Sequence, residues 1–381
     1  MKVVHMAKSP LAGSPIRIVR ALNEHSDVCA RLIVGNTAQY GDRTFEGDLD
    51  WQEDREKARS VLESADIVHL HRYMDLKAQP FGIDFDELQR KGKRILRQFH
   101  ANPGVIAGRM RRPVSEIVDD PLPQLVIAQF HERFYPRARV VPNIVPIRDS
   151  RYRPTERADR PVRVFYAPTF PASAWASRWE TKGSPETRAL LRRIVRRASN
   201  AEADVAVGIP HDECLRRRRN SHISIDEMVT GSYHMSGLES LAQGIPTFAF
   251  LDTRCLAVLA EITGATELPW MNFRLEEAEE PLRRMIDDPE LRRETGARSR
   301  EWMETYWDDR QMVGHYVKAY RDVLERPDTF DRPRFDPGNR RTMWTVQGMD
   351  DAVWNARRRR NASLRVRWRR GNPCLVNPSR D

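Results

Sequence analysis

The stretch Gly237-Leu238-Glu239-Ser240-Leu241-Ala242-Gln243-Gly244-Ile245-Pro246 follows a polar loop, Gly231 to Ser236, that contains Tyr233 and His234. Leu238 to Gln243 reads as a short helix stopped by Gly244, and Pro246 to Leu251 reads as a strand. Glu239 falls in the first turn, where the helix dipole favours a carboxylate. From there it could also accept hydrogen bonds from the vicinal hydroxyls of a ribose. Helix stabilisation alone is a sufficient reason for a carboxylate at that position.

Upstream, Val162 to Ala167 reads as a strand, followed by a polar and aromatic loop from Pro168 to Gly183 and a helix opened by Ser184 and Pro185. Ala203 to Ile209 and His222 to Asp226 read as further strands. The first part of the chain repeats this style. Val3 and Val4 lie in a strand, Ala7 to Gly13 form a loop, and Ser14 is placed to cap a helix with Pro15 at its first position. Strands follow at Ala65 to Leu70, Arg94 to Phe99 and Leu125 to Gln129. Short apolar strands alternating with helices predict an α/β protein with parallel, doubly wound sheets. The expected layout is a Rossmann-like domain over residues 1–147, a charged linker over 148–161 and a second Rossmann-like domain over 162–300. A closing helix is expected over 301–326 and a basic, poorly structured tail over 327–381. Two such domains would face each other across a cleft that takes the ligand.

The composition narrows the class. The chain has 381 residues, 40% of them hydrophobic, and no apolar run long enough to span a membrane. It begins without the apolar core of a signal peptide, which with four scattered cysteines predicts a cytoplasmic protein without disulfides. The 64 basic and 54 acidic side chains give a net charge of +10. Residues 331–381 hold thirteen Arg and five Asp, so most of the excess sits in the tail. A nearly balanced body argues against a protein built to bind nucleic acid.

Three further places could carry chemistry. Gly13 and Ser14 sit at the start of the first helix, where backbone amides can hold an anion or the pair can simply turn and cap the chain. Arg178 and Lys182 precede the helix at Ser184 and could neutralise a diphosphate, or stand as solvated charges. His100 ends a strand in Phe99-His100-Ala101-Asn102-Pro103 and could be an ordinary strand-end histidine. Arg216 to Arg219 reads as the solvated face of a helix. Asp308-Asp309 and Asp350-Asp351 are adjacent acidic pairs outside the expected cleft, so no Asp-x-Asp metal chelate is expected.

The segment from Gly237 to Pro246 resembles the nucleotide-binding segment of GT-B fold glycosyltransferases, most closely the retaining group called family four. Lys8 to Arg17, Val141-Pro142-Asn143, Thr181-Lys182-Gly183 and Trp302 to Tyr320 look like that family's donor-facing loop, linker entry, phosphate site and closing helix. The resemblance implies that Glu239 holds the ribose of a sugar nucleotide, that Gly237 and Leu238 belong to the same segment, and that Arg178 and Lys182 neutralise the diphosphate. It also implies that Gly13 and Ser14 approach the phosphates from the first domain, that Tyr233 and His234 surround them, and that His100 lies near the transferred sugar. The family often has a second Glu eight residues before the first, where this chain has Gly231. Asp226 and Glu227 stand at a different spacing and are given no role.

The implied activity is sugar transfer from a nucleotide-diphosphate sugar to a glycan or lipid-linked acceptor, without cofactor or metal, in polysaccharide or glycoconjugate synthesis. Arg357 to Arg360 and Arg365 to Arg370, with Trp368, could touch an anionic membrane surface or remain a solvated tail. Other readings are a catalytically silent sugar-nucleotide-binding protein of the same fold, an epimerase of that fold, and a nucleic-acid-binding protein driven by the Arg runs.

Overall fold

The computed structural model describes residues 1–35, 45, 47–158, 160–168, 182–198 and 200–336. Two parallel sheets follow one another along the chain. The first is formed by β1 (Lys2–Ala7), β2 (Cys29–Val34), β3 (Leu49–Asp50), β4 (Ile67–His71), β5 (Arg94–Phe99), β6 (Gln124–Ile127) and β7 (Arg139–Val141), in the order β3-β2-β1-β4-β5-β6-β7. The second is formed by β8 (Val162–Tyr166), β9 (Ala201–Val205), β10 (Ile223–Ile225), β11 (Thr247–Ala249) and β12 (Met271–Asn272), in the order β12-β11-β10-β8-β9. Strand order reverses between β1 and β4 in one sheet and between β8 and β10 in the other. Open parallel sheets take ligands at the carboxyl ends of the strands beside such reversals.

The helices that matter here are α1 (Ser14–His25), α2 (Ser184–Arg197), α3 (His211–Arg219), α4 (Met235–Ala242), α5 (Thr253–Thr263), α6 (Pro289–Tyr306) and α7 (Asp309–Glu325). Amphipathic α1 buries Ile16, Ile18, Val19 and Leu22 on its sheet while Arg20 stays exposed. One apolar cluster runs from β1, β2 and α1 through Trp302, Trp307, Tyr316 and Tyr320 to Tyr233, Leu238 and Leu241. The two sheets therefore share core as well as a cleft.

The expected closing helix is two helices. The chain breaks at Trp307, whose buried ring donates from Nε1 to the Asn143 carbonyl at 3.0 Å. Asp308 then caps α7 by accepting from the Arg310 amide at 2.9 Å. The stretch expected as a linker is tied down: Tyr152 is buried, and Arg148 pairs with Asp308 and Asp309. The expected tail also starts later than residue 327. Phe330 is buried, and Arg334 donates from Nε to the Ala138 carbonyl at 2.6 Å and from Nη2 to the Glu132 carbonyl at 3.0 Å. The Arg/Trp segment 357–370 lies outside the described residues.

Candidate functional site

The first strand of each sheet leads into its first helix in the same way. After β1, Leu11, Ala12 and Gly13 adopt φ of 49°, 52° and 73°, and α1 begins Ser14-Pro15. After β8, Lys182 and Gly183 adopt φ of 53° and 57°, and α2 begins Ser184-Pro185. Both cap positions are glycines, and neither serine makes the capping bond expected of Ser14. A Cβ on Gly13 would stand 2.6 Å from Phe45 Cδ1, and one on Gly183 would stand 2.3 Å from Val229 Cγ2. Each turn thus brings the amino end of a helix to a sheet's carboxyl edge, although the Gly13 and Ser14 amides are already spent on the Pro10 and Leu11 carbonyls.

Lys182 lies between β8 and β10, beside the reversal of the second sheet. Its ammonium donates to Asp226 Oδ1 at 2.9 Å and contacts Ser236 Oγ. Asp226 also accepts from Ser236 Oγ at 2.7 Å and from the His234 amide at 2.6 Å. Burial alone would raise the Asp226 pKa, but Lys182 and His234 hold it below the ordinary carboxylate range. Gly237 makes this packing possible, because a Cβ there would sit 2.4 Å from Asp226 Oδ2. Asp226 and Glu227, given no role from spacing, organise the loop before α4: Glu227 accepts from the Val229 and Thr230 amides at 2.5 and 2.9 Å.

Glu239 is buried on α4 and held from three sides. His211 Nε2 lies 2.8 Å from Oε1, Arg218 Nη1 donates to Oε2 at 2.6 Å, and Arg17 Nη1 approaches from α1 to 3.8 Å. Burial pushes the carboxyl up, but Arg218, His211 and Arg17 together hold it far below its usual range. Arg218 is 1% exposed, which corrects the reading of Arg216 to Arg219 as a solvated face. Arg216 and Arg217 do pair at the surface, with Glu213 and Asp204.

A cavity of about 720 Å³ opens beside this cluster, lined by Gly13, Arg17 and Arg20 of the first unit and by Pro210, His211 and Asp212 of the second. Phe45 bridges it, its ring 4.9 Å from that of His211. Asp309 reaches its edge, paired with Arg148 and with His25 at 3.2 Å.

His100, partly exposed at the end of β5, lies 3.0 Å from His71. Burial first, then Arg72, lowers its pKa to about 3. His131 is buried beside it and is likewise pushed to about 3, by burial and then by His234, His100 and Arg72. His100, His131 and His234 thus converge from β5, β6 and α4, a grouping that needs the strand order to be seen.

Tyr233 is turned away from ligand space. It is fully buried, its hydroxyl donates to the Ala128 carbonyl, and its ring packs 5.3 Å from Trp270. Leu238 is also buried in the core. Arg178 lies outside the described residues. Gly231 has φ of 85°, and a Cβ there would meet Asp252 at 2.6 Å, so the position has no room for a second glutamate. His5, His69 and His71 hold one nitrogen each within 4.8 Å of one another. Hydrogen bonds among these rings, Tyr320 and His100 already engage both nitrogens of His5 and of His71.

No known protein family matches the sequence, and no curated protein matches it. Solved structures do. An alpha-glucosyltransferase solved with UDP and a 13-mer DNA containing an HMU base is 12% identical over 85% of this chain and 98% of its own, with a TM-score of 0.55. HepE of Anabaena, solved with UDP and glucose, is 11% identical over 84% of this chain and 100% of its own, with a TM-score of 0.55. Sucrose-phosphate synthase from Thermosynechococcus elongatus is 12% identical over 85% and 99%, with a TM-score of 0.50. At such identities the likeness speaks to the fold. The chain has the GT-B architecture of two Rossmann-like units facing across a cleft.

Proposed function

We propose that this protein is a glycosyltransferase that moves a sugar from a nucleotide-diphosphate sugar to a glycan or lipid-linked acceptor. Residues 1–147 would receive the acceptor and residues 162–300 the donor. The observation that carries the reading is the second-unit pairing of Glu239 with His211 on α4, and of Lys182 with Asp226 before it, beside an interdomain cavity. Charge develops on the leaving phosphate oxygen during sugar transfer, so amides and cations aimed there lower the barrier. Lys182 has three donors, of which Asp226 and Ser236 take two, leaving one for a phosphate oxygen. Glu239 would meet the ribose, and His100 would stand on the transferred-sugar side. Retention of configuration, independence from metal, a role in polysaccharide or glycoconjugate synthesis and membrane contact through residues 357–370 belong to the same proposal. So does a cytoplasmic setting; among the described residues no helix is long and apolar enough to cross a membrane.

The test is calorimetric titration and thermal shift with UDP, GDP, ADP, CMP and TDP and their sugars, UDP first because two similar proteins were solved with it. One nucleotide class should stabilise the protein selectively, since a ligand of the folded state raises its stability, and Lys182→Met should weaken that binding. Slow release of free sugar from the matching donor should accompany it. Binding without any sugar release or transfer would favour a silent protein, in line with Gly231. No binding at millimolar concentration would overturn the proposal.

A further inference from the structure

Arg72 follows the last residue of β4 with its backbone in the left-handed region, at φ of 57°. A side chain costs stability there and glycine does not. The other described non-glycine residues with positive φ are Leu11, Ala12, Arg111 and Lys182. Leu11 and Ala12 make the turn into α1, Arg111 is the C-cap of the helix Pro103–Met110, and Lys182 belongs to the cluster with Asp226. Arg72 is pinned in its conformation from the neighbouring strand. Its amide donates to the Gln98 carbonyl at 2.9 Å, and its own carbonyl accepts from Arg97 Nη2 at 3.4 Å.

The position is the carboxyl edge of the first sheet, where β4 adjoins β1 and the strand order reverses. The guanidinium lies over the Tyr73 ring, 4.4 Å from its centre. Its charge disfavours a proton on His100 and on His131, and His234 of the second unit acts on His131 in the same sense. Arg72 thus stands where the two units meet. Its Nε is buried without a hydrogen-bond partner, and among the described residues no carboxylate pairs with it. Asp75, the nearest acid in sequence, is taken by Arg112 at 2.7 Å, and Asp120 by Arg97 at 2.5 Å. The residue as a whole is partly exposed, so a ligand can reach it. Stacking on Tyr73 accounts for where the cation rests and leaves its N–H groups unspent. Such a fork of donors matches the paired oxygens of a carboxylate or a phosphate.

We propose that Arg72 binds an oxyanion, the phosphate or carboxylate group of a molecule held beside His100. The source of that anion rests on the transferase reading. There the donor's diphosphate goes to Lys182 in the second unit, so the anion at Arg72 belongs to the acceptor. The acceptor is then a phosphorylated or carboxylated one, with its charged group close to the hydroxyl that receives the sugar. Arg72 binds and orients it and takes no part in bond making.

The test is calorimetric titration of the full chain with methyl phosphate and with acetate at low salt, in a Lys182→Met background that removes the second-unit cation. One of the two anions should bind at millimolar concentration, which tells phosphate from carboxylate. Adding Arg72→Gln should weaken that binding by about tenfold or more, the loss expected for a charge-assisted hydrogen bond. Arg72→Gly should weaken it equally without lowering the thermal midpoint, because glycine suits the left-handed backbone and the loss is then one of recognition. No binding of either anion, or equal binding with and without Arg72, overturns the proposal. The wild type saturated with the nucleotide it binds should still take up the anion through Arg72. Displacement of the anion by the nucleotide would put Arg72 on the donor's diphosphate and overturn the acceptor assignment. A wild type that binds no nucleotide would overturn the transferase reading instead, and oxyanion binding at Arg72 would be decided by the first comparison alone.

Discussion

At Glu239 the physical chemistry of a single side chain makes two demands. A buried carboxylate must be paired, and a carboxylate that serves a ribose must be reachable. The pairing is met by Arg218, itself 1% exposed, and by His211, whose side chain keeps 16% of its surface. Removing one member of a buried pair costs about 3–5 kcal/mol, whereas replacing both by apolar groups is close to neutral. Glu239→Ala should therefore lower unfolding stability by several kcal/mol, and adding Arg218→Met should restore most of it. Denaturant unfolding of the two variants checks this. If the double variant is no more stable than the single one, the pair is not the main role of the carboxylate in the fold.

At the scale of elements, α4 is seated against β10 through a glycine. A Cβ on Gly237 would meet Asp226 Oδ2 at 2.4 Å and its Cγ at 2.9 Å, and Asp226 is fixed by Lys182, Ser236 and the His234 amide. Gly237→Ala should cost about 1–3 kcal/mol, the range for overpacking, and weaken nucleotide binding with it. Gly314, exposed on α7 with nothing within 4 Å of an added Cβ, is the control. Gly314→Ala should stabilise by about 1 kcal/mol, because there only helix propensity changes. Equal effects at both sites would remove close approach as the reason for Gly237. Much of this element plan was legible in the sequence: β5 falls at Arg94–Phe99 as read, and a helix, a turn and a strand follow one another as expected, but α4 starts at Met235, which puts Glu239 in its second turn and not its first, and β11 starts at Thr247. What was illegible depends on partners distant in sequence. In β2, Arg31 interrupts an apolar strand and is matched by Asp48, 2.6 Å away. Arg218 looks like its exposed neighbours until α4 is packed against α3. The break at Trp307 needs the Asn143 carbonyl.

For the whole molecule, the shared core under α7 has an unusual proton balance. His5, His69, His71 and His131 are buried without charge and His100 is partly so, each held below the ordinary imidazole value chiefly by burial. In the unfolded chain these five take up protons as pH falls through about 6.5, while the folded protein does not, so stability is lost below that pH. At pH 5 an imidazole held near 3 forfeits about 2 kcal/mol, being 1.5 units below its unfolded value at about 1.36 kcal/mol per unit. Glu132 and Glu227 work the other way. Burial raises both to about 7, so the folded state takes up their protons first, and each returns about 2 kcal/mol over the same interval. Five losses against two gains leave a net loss that is a large fraction of an ordinary protein's 5–15 kcal/mol. The urea midpoint should therefore fall steeply from pH 6.5 to 5 and change much less from pH 8 to 7. A midpoint that holds or rises toward pH 5 would mean that the imidazoles are hydrated and protonated in the folded protein.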